Sequence, residues 1–282
     1  EDNEFPAPSK LDMIWFSYVE NKFYSIETDL PEQEIRKLLL EKDDNGNQKY
    51  NFIVAGMAPY GGVALWAQGR DTKEIGWYKA TEENVPAEDF FAQGNYSGTI
   101  TDYRNAVLKE QKNAYENFQK NGLPPKDLYD NYMKRYNYGI SVSFKKNVDV
   151  SKNTDLRFYN GEIFENKSWE ELKKPNTYAK LKKIIIHWQD GQDKWDAYFW
   201  TKEEQIKKAF EKAYGNDANQ EGSLEIEIGN DSEDGLDFSF FIKTKNGRFD
   251  IDESGIMENY TFKNDIGKFA VNYNRPEGGF RN

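Results

Sequence analysis

Lys183-Ile184-Ile185-Ile186-His187-Trp188, then Gly191-Gln192-Asp193, then Trp195-Asp196-Ala197-Tyr198-Phe199-Trp200, is the stretch on which the fold reading turns. Two short runs rich in β-branched and aromatic side chains flank a turn, which predicts a pair of strands. Thr201 to Glu204 then carries a capping-box pattern, and Ile206, Ala209 and Phe210 recur at helical spacing. After a turn from Asn216 to Gly222, Leu224, Ile226 and Ile228 alternate with Glu225 and Glu227. That period of two predicts a strand. Asp237 to Thr244 and Arg248 to Asp252 read as two more.

The same order is present at the start of the chain. After an irregular arm to Lys10, Met13 to Val19 and Phe23 to Glu27 read as strands around a polar turn, Glu20 to Lys22. Asp29, Pro31 and Glu32 open a helix whose stripe is Ile35, Leu38 and Leu39. Asp43-Asp44-Asn45-Gly46-Asn47 ends it with turn chemistry. Tyr50 to Ala55 and Val63 to Gln68 read as strands split by Pro59-Tyr60-Gly61-Gly62, and Glu74 to Lys79 as a further one. Glu34-Ile35-Arg36-Lys37-Leu38-Leu39 lies over Gln205-Ile206-Lys207-Lys208-Ala209-Phe210 without a gap, and the flanking strands fall into step. Two readings stand: an ancient duplication, or two unrelated units built from common parts.

The middle differs. Tyr103, Val107, Gln111, Ala114, Tyr115 and Phe118 follow helical spacing in one helix from Thr101, closed by Gly122 and stopped by Pro124-Pro125. Asp127 to Tyr136 reads as a second helix. Tyr138, Ile140, Val142 and Phe144 alternate with Gly139, Ser141 and Ser143, a strand with one wet face. Leu156 to Tyr159 is its possible partner, and Ser168-Trp169-Glu170-Glu171 opens a short capped helix. Strands and helices are segregated, so the predicted class is α+β, with mainly antiparallel sheets and helices on one face. Two ββαββ units, 1–97 and 179–282, flank a middle segment, 98–178, in one compact body or several.

The chain has 282 residues and a formal net charge of −11, with 16% aromatic residues. An acidic surface without a basic stripe argues against a nucleic-acid partner. It suits plain solubility, a basic protein partner or a divalent cation. There are no cysteines, which excludes disulfides, thiol catalysis and cysteine-ligated metals. No apolar run is long enough to cross a membrane.

Candidate chemistry is sparse. His187 is the only histidine, inside an apolar run, and no G-x-S-x-G is present; a strand histidine bonded to backbone is expected. Pro59, Tyr60, Gly61 and Gly62 form a loop whose N–H groups could cradle an anion, but a strand-joining turn explains the glycines and is favoured. Asp250-Ile251-Asp252-Glu253-Ser254-Gly255 resembles the start of a calcium loop, yet Thr261 stands where the closing glutamate belongs. Asp250, Asp252 and Glu258 are the residues for weak calcium binding, against an ordinary acidic turn. Trp195 and Tyr198 have opposite parity, so the strand holding them and Trp200 presents rings to both faces. One face is core and the other a candidate recognition surface. Trp66 and Trp77 raise the same choice near the glycine loop. No residue pattern implies a cofactor.

Several stretches together resemble the DUF2931 family, an uncharacterised family common in Bacteroidetes. They are Met13-Ile14-Trp15-Phe16 to Pro31, Asn51 to Val63, Gly76-Trp77-Tyr78, Asn121-Gly122-Leu123-Pro124-Pro125 with Tyr132, and Tyr273-Asn274-Arg275-Pro276-Glu277-Gly278-Gly279. The likeness is of overall pattern, with no mechanistic motif and no catalytic residues to carry over. Members are often described as lipoproteins, with a signal and an anchor cysteine ahead of the mature domain. The resemblance therefore implies the cell envelope, with membrane attachment only through a lipid anchor. A non-enzymatic envelope protein that binds a protein or glycan is the first expectation. An immunity-type protein masking a toxin is a specific version. A carboxylate hydrolase acting on glycans, for which no spacing singles out a pair, and a structural lipoprotein without a ligand are the alternatives.

Overall fold

The computed structural model describes residues 6–43, 45–92, 98–232, 235–251 and 256–263. Two compact units form, Glu1–Asn131 and Tyr132–Asn282. The 98–178 stretch is divided between them, its helices mostly in the first and its strands in the second. The class is α+β with mostly antiparallel sheets.

The first unit runs β1 (Lys10–Ser17), β2 (Lys22–Asp29), α1 (Glu32–Leu40), β3 (Tyr50–Ala58), β4 (Gly62–Gly69), β5 (Thr72–Lys79) and β6 (Thr81–Glu83). Helices α2 (Ala87–Phe90), α3 (Ile100–Glu110), α4 (Lys112–Asn121) and α5 (Leu128–Met133) follow. β1 and β2 form a hairpin in register Ser17↔Lys22, and β6 extends it at β2. β3, β4 and β5 form an antiparallel meander. Ile26, Val63 and Leu65 are the buried centre of a small cluster that gathers Leu11, Met13, Trp15 and Tyr78. α1 buries only Ile35, which is fully enclosed against the meander.

The second unit runs β7 (Tyr136–Phe144), β8 (Asp149–Val150), β9 (Asn153–Phe158), β10 (Ile163–Ser168), α6 (Trp169–Leu172), β11 (Asn176–Tyr178), β12 (Leu181–Asp190) and β13 (Asp193–Thr201). It continues with α7 (Glu203–Tyr214), β14 (Gly222–Ser232), β15 (Gly235–Thr244), β16 (Gly247–Ile251) and β17 (Ile256–Lys263). One sheet has the order β17-β13-β12-β9-β10, with β8 on β12; the other has β11-β7-β14-β15-β16. The β7–β14 pair is parallel. Between the sheets Phe199 meets Phe238 and Phe240 at 5.0 and 5.2 Å, and Trp188 meets Phe144 at 5.3 Å. α7 adds five buried residues to this core, among them Phe210, 4.8 Å from the Tyr136 ring and 5.1 Å from Tyr138. Burying one such ring is worth about 1.5–3 kcal/mol.

Both units thus share the order hairpin, helix, meander, with a third meander strand that makes each ββαβββ. With Ile35 set on Ile206, the starts of β12 and β13 coincide with those of β1 and β2, and those of β14 and β15 come one and two residues later. This shared order fits a duplication and two units built from common parts alike.

Four local expectations are corrected. Leu156 to Tyr159 does not pair with the Tyr138–Phe144 strand: β9 lies between β10 and β12, whereas β7 lies between β11 and β14. The single helix from Thr101 is two, because Gln111 leaves helical geometry at φ −88°, ψ 54° between α3 and α4. The Thr201 capping box does not form: Thr201 stays in β13, where its buried hydroxyl donates to the Leu181 carbonyl at 2.7 Å, so α7 starts without a side-chain cap. His187 is bonded to a carboxylate rather than to backbone. The stretch Tyr273 to Gly279 lies outside the described residues.

Candidate functional site

The Pro59–Gly62 loop is the β3–β4 turn, with Tyr60 and Gly61 at φ 63° and 71°. Its Tyr60 N–H donates to Glu20 Oε1 at 3.0 Å, which also receives the Tyr24 hydroxyl at 2.9 Å. The Tyr60 hydroxyl donates to the Pro124 carbonyl at 2.9 Å. A carboxylate already occupies the amide that an anion would use. A Cβ on Gly62 would lie 2.1 Å from the Trp77 ring, so glycine is required there for ring packing. Trp77 donates Nε1–H to Asp130 Oδ1 at 2.7 Å under the Lys79 ammonium, and Trp66 lies against Gly56.

In the second unit, the β12–β13 register puts the two faces in plain alternation. Trp195, Ala197 and Phe199 point to the core, and Trp195 stacks on Trp188 at 6.0 Å and 3°. Asp196, Tyr198 and Trp200 share the other face and are half-buried. Directly opposite them on β12 stand His187, Ile185 and Lys183, and beyond these on β9 stand Asp155 and Arg157. The face is therefore built in rows: Arg157–Lys183–Trp200, then Asp155–Ile185–Tyr198, then His187–Asp196.

The Tyr198 and Trp200 rings are nearly parallel, 6.1 Å apart at 17°. The Lys183 Nζ lies over both, 5.3 Å from the first centroid and 4.5 Å from the second, a cation–π arrangement. Burial, and next the Arg157 guanidinium, pull the Lys183 ammonium below its ordinary pKa, with Asp155 opposing. Like charges directly opposite across a strand pair are unfavourable. Here the pair Lys183–Arg157 sits in a chain of net charge −11.

His187 Nδ1 bonds Asp196 Oδ1, and the two line an open cleft of about 230 Å³ with Ser151 and Lys194. Ser151 donates its backbone N–H to the His187 carbonyl at 2.9 Å. A serine, a histidine and an aspartate thus stand in one row, but no serine–histidine side-chain bond is present among the described residues. The hydrogen bond that would activate a nucleophile is not made.

Asp250 lies on β16 and accepts from Arg248 Nε at 2.7 Å. The Glu258 backbone lies on β17 opposite Trp200, in the other sheet, and its side chain lies outside the described residues. Asp252 also lies outside them. Among the described residues no group of three histidines or carboxylates is placed to hold a metal. Likewise, among the described residues no helix is long and apolar enough to cross a membrane.

Lys183, Arg157, Asp155 and the His187–Asp196 pair escape a reading that searches for motifs. A signal was there: a turn closing at Asp190↔Asp193 places His187 opposite Asp196 and Lys183 opposite Trp200 by counting alone.

Residues 2–125 match the family model of DUF2931, a protein of unknown function. That region is similar to the DUF2931 family. The DUF2931 match takes in β1 to α4, with the glycine loop, Trp66 and Trp77. Tyr132 and the rows on β9, β12 and β13 lie beyond the DUF2931 match. No curated protein and no solved structure matches the chain.

Proposed function

We propose that the chain is a non-enzymatic binding protein of the cell envelope, and that the face formed by β9, β12 and β13 recognises its partner. The observation that carries this reading is the Lys183–Arg157 pair beside the stacked Tyr198 and Trp200 rings. Local rules of pairing are broken most often where function requires it. Two adjacent cations against flat apolar rings complement a partner that presents a carboxylate next to an apolar surface. Trp, Tyr and Arg are also the residues that dominate binding energy when they sit centrally in an interface. The partner is a protein or glycan of the envelope, and attachment to the membrane is through a lipid anchor, as the family resemblance implies.

The test compares the wild-type chain with Arg157→Glu and Trp200→Ala as baits on solubilised envelope, with an acidic-glycan array in parallel. One ligand retained by the wild type, and weakened at least tenfold by each variant while melting temperatures stay close, supports the reading. Equal retention by all three baits would sink it. So would recovery of nothing in a preparation that keeps known complexes intact.

A further inference from the structure

A second concavity, which shares Val150 and Ser151 with the His187–Asp196 cleft, opens between β7, the β8–β9 link and the start of α6. Its volume is about 470 Å³, within the range of about 300–1,000 Å³ common for small-molecule sites. Val142, Val150 and Trp169 supply its apolar wall. Lys152, Lys173 and Glu170 stand at it with exposed side chains. Neither lysine forms an ion pair with a described residue, although acidic residues exceed basic ones by 11 in the whole chain. Two ammonium groups against one carboxylate leave one net positive charge, which complements a monoanion.

Behind the wall one buried donor lacks an acceptor. Trp169 is 7% exposed, and its buried Nε1–H has no hydrogen-bond partner. Buried donors are nearly always satisfied in folded proteins. The nearby Ser168 hydroxyl accepts the Glu170 N–H at 3.1 Å and makes no bond to the Trp169 Nε1–H.

We propose that this cavity binds a small organic carboxylate, with its apolar or aromatic body against Val142, Val150 and Trp169 and its anionic end between Lys152 and Lys173. The residues that carry this site, Lys152, Lys173 and Trp169, are not those of the partner-binding face, so the two readings are tested separately.

Calorimetric titration of the full chain with 2-naphthoate tests the proposal, with the uncharged 2-naphthylmethanol beside it. The expected result is saturable one-to-one binding of the naphthoate, at least tenfold weaker binding of the alcohol, and at least a tenfold loss in the Lys152→Gln/Lys173→Gln double variant. Both substitutions are at exposed positions, so the variant keeps its fold, which circular dichroism checks. Absence of saturation at millimolar naphthoate, equal affinity for the alcohol, or unchanged affinity in the double variant would each overturn it.

Discussion

The two ββαβββ regions carry the same order of elements on very different cores. In the first, α1 buries one residue and the central cluster has three buried members. In the second, α7 buries five and joins a continuous core that spans two sheets. Among the described residues the large apolar side chains that stay exposed, Ile14, Leu40, Phe52 and Met57, all belong to the first region. Connectivity is set by where turns and helix stripes fall along the chain. The energy of each region is set by how many faces find a second layer. One topology can therefore be held by unequal packing.

The largest expected effect tests that inequality directly. Ile35 and Ile206 occupy matching positions and are both fully buried. Truncation to alanine at a buried isoleucine costs about 2–5 kcal/mol, depending on how far the surroundings can close in. Ile206→Ala is expected near the top of that range and Ile35→Ala near the bottom. Hydrogen exchange under increasing urea reads each unit by itself. Equal losses would break the comparison.

A smaller effect concerns a buried cation of the second region. Lys180 is 1% exposed, with its ammonium 5.6 Å from the Tyr136 ring centre. Burial, and next the Lys134 charge, lower its pKa from 10.5 to about 8. The unfolded chain therefore holds this proton more tightly than the folded one. Stability should rise with pH between about 8 and 10.5 as the folded state no longer has to bury a cation. Lys180→Met should abolish that rise and add about 1–3 kcal/mol at pH 7. Urea midpoints of both proteins at pH 7, 8, 9 and 10 check it; parallel curves would show that the ammonium is fully accommodated.

The smallest effect lies in the hairpin turns. In the first region Glu20 ties the β1–β2 turn to the β3–β4 turn through the Tyr24 hydroxyl and the Tyr60 amide, and it also receives the Ser17 hydroxyl at 2.8 Å. Burial and Glu20 together raise the pKa of the Tyr24 phenol. The β12–β13 turn is closed locally, by Gln189 Nε2 on the Gly191 carbonyl at 2.8 Å. Glu20→Ala should cost about 1–2 kcal/mol, and Gln189→Ala about 0.5 kcal/mol or less. Thermal melts of the two variants rank them, and a reversed order would mean that the clamp adds nothing.

Much of the architecture was legible because its signals are local. Period-two runs such as Tyr138 to Phe144 and Leu224 to Ile228 became β7 and β14, and the stripes of Ile35 and Ile206 became α1 and α7. Parity placed Trp195 and Tyr198 on opposite faces before any register was known. The misreadings are equally instructive. Thr201 has the residue types of a cap but serves the sheet, and helix periodicity runs through Gln111 although the helix does not. At Thr201 a tertiary partner outweighs a local preference.

By itself, the sequence determined the class, the repeated order of strands and helix, the acidic charge and the absence of thiol chemistry. Periodicity, composition and turn residues are properties of neighbours along the chain, so they can be read from it. Only the tertiary structure decided that Arg157 on β9 stands opposite Lys183, that His187 meets Asp196, and that Trp169 closes a cavity with Val142 from a distant strand. Those relations depend on strand order across a sheet and on which layer covers which face. Both are fixed by the burial of the whole apolar surface at once.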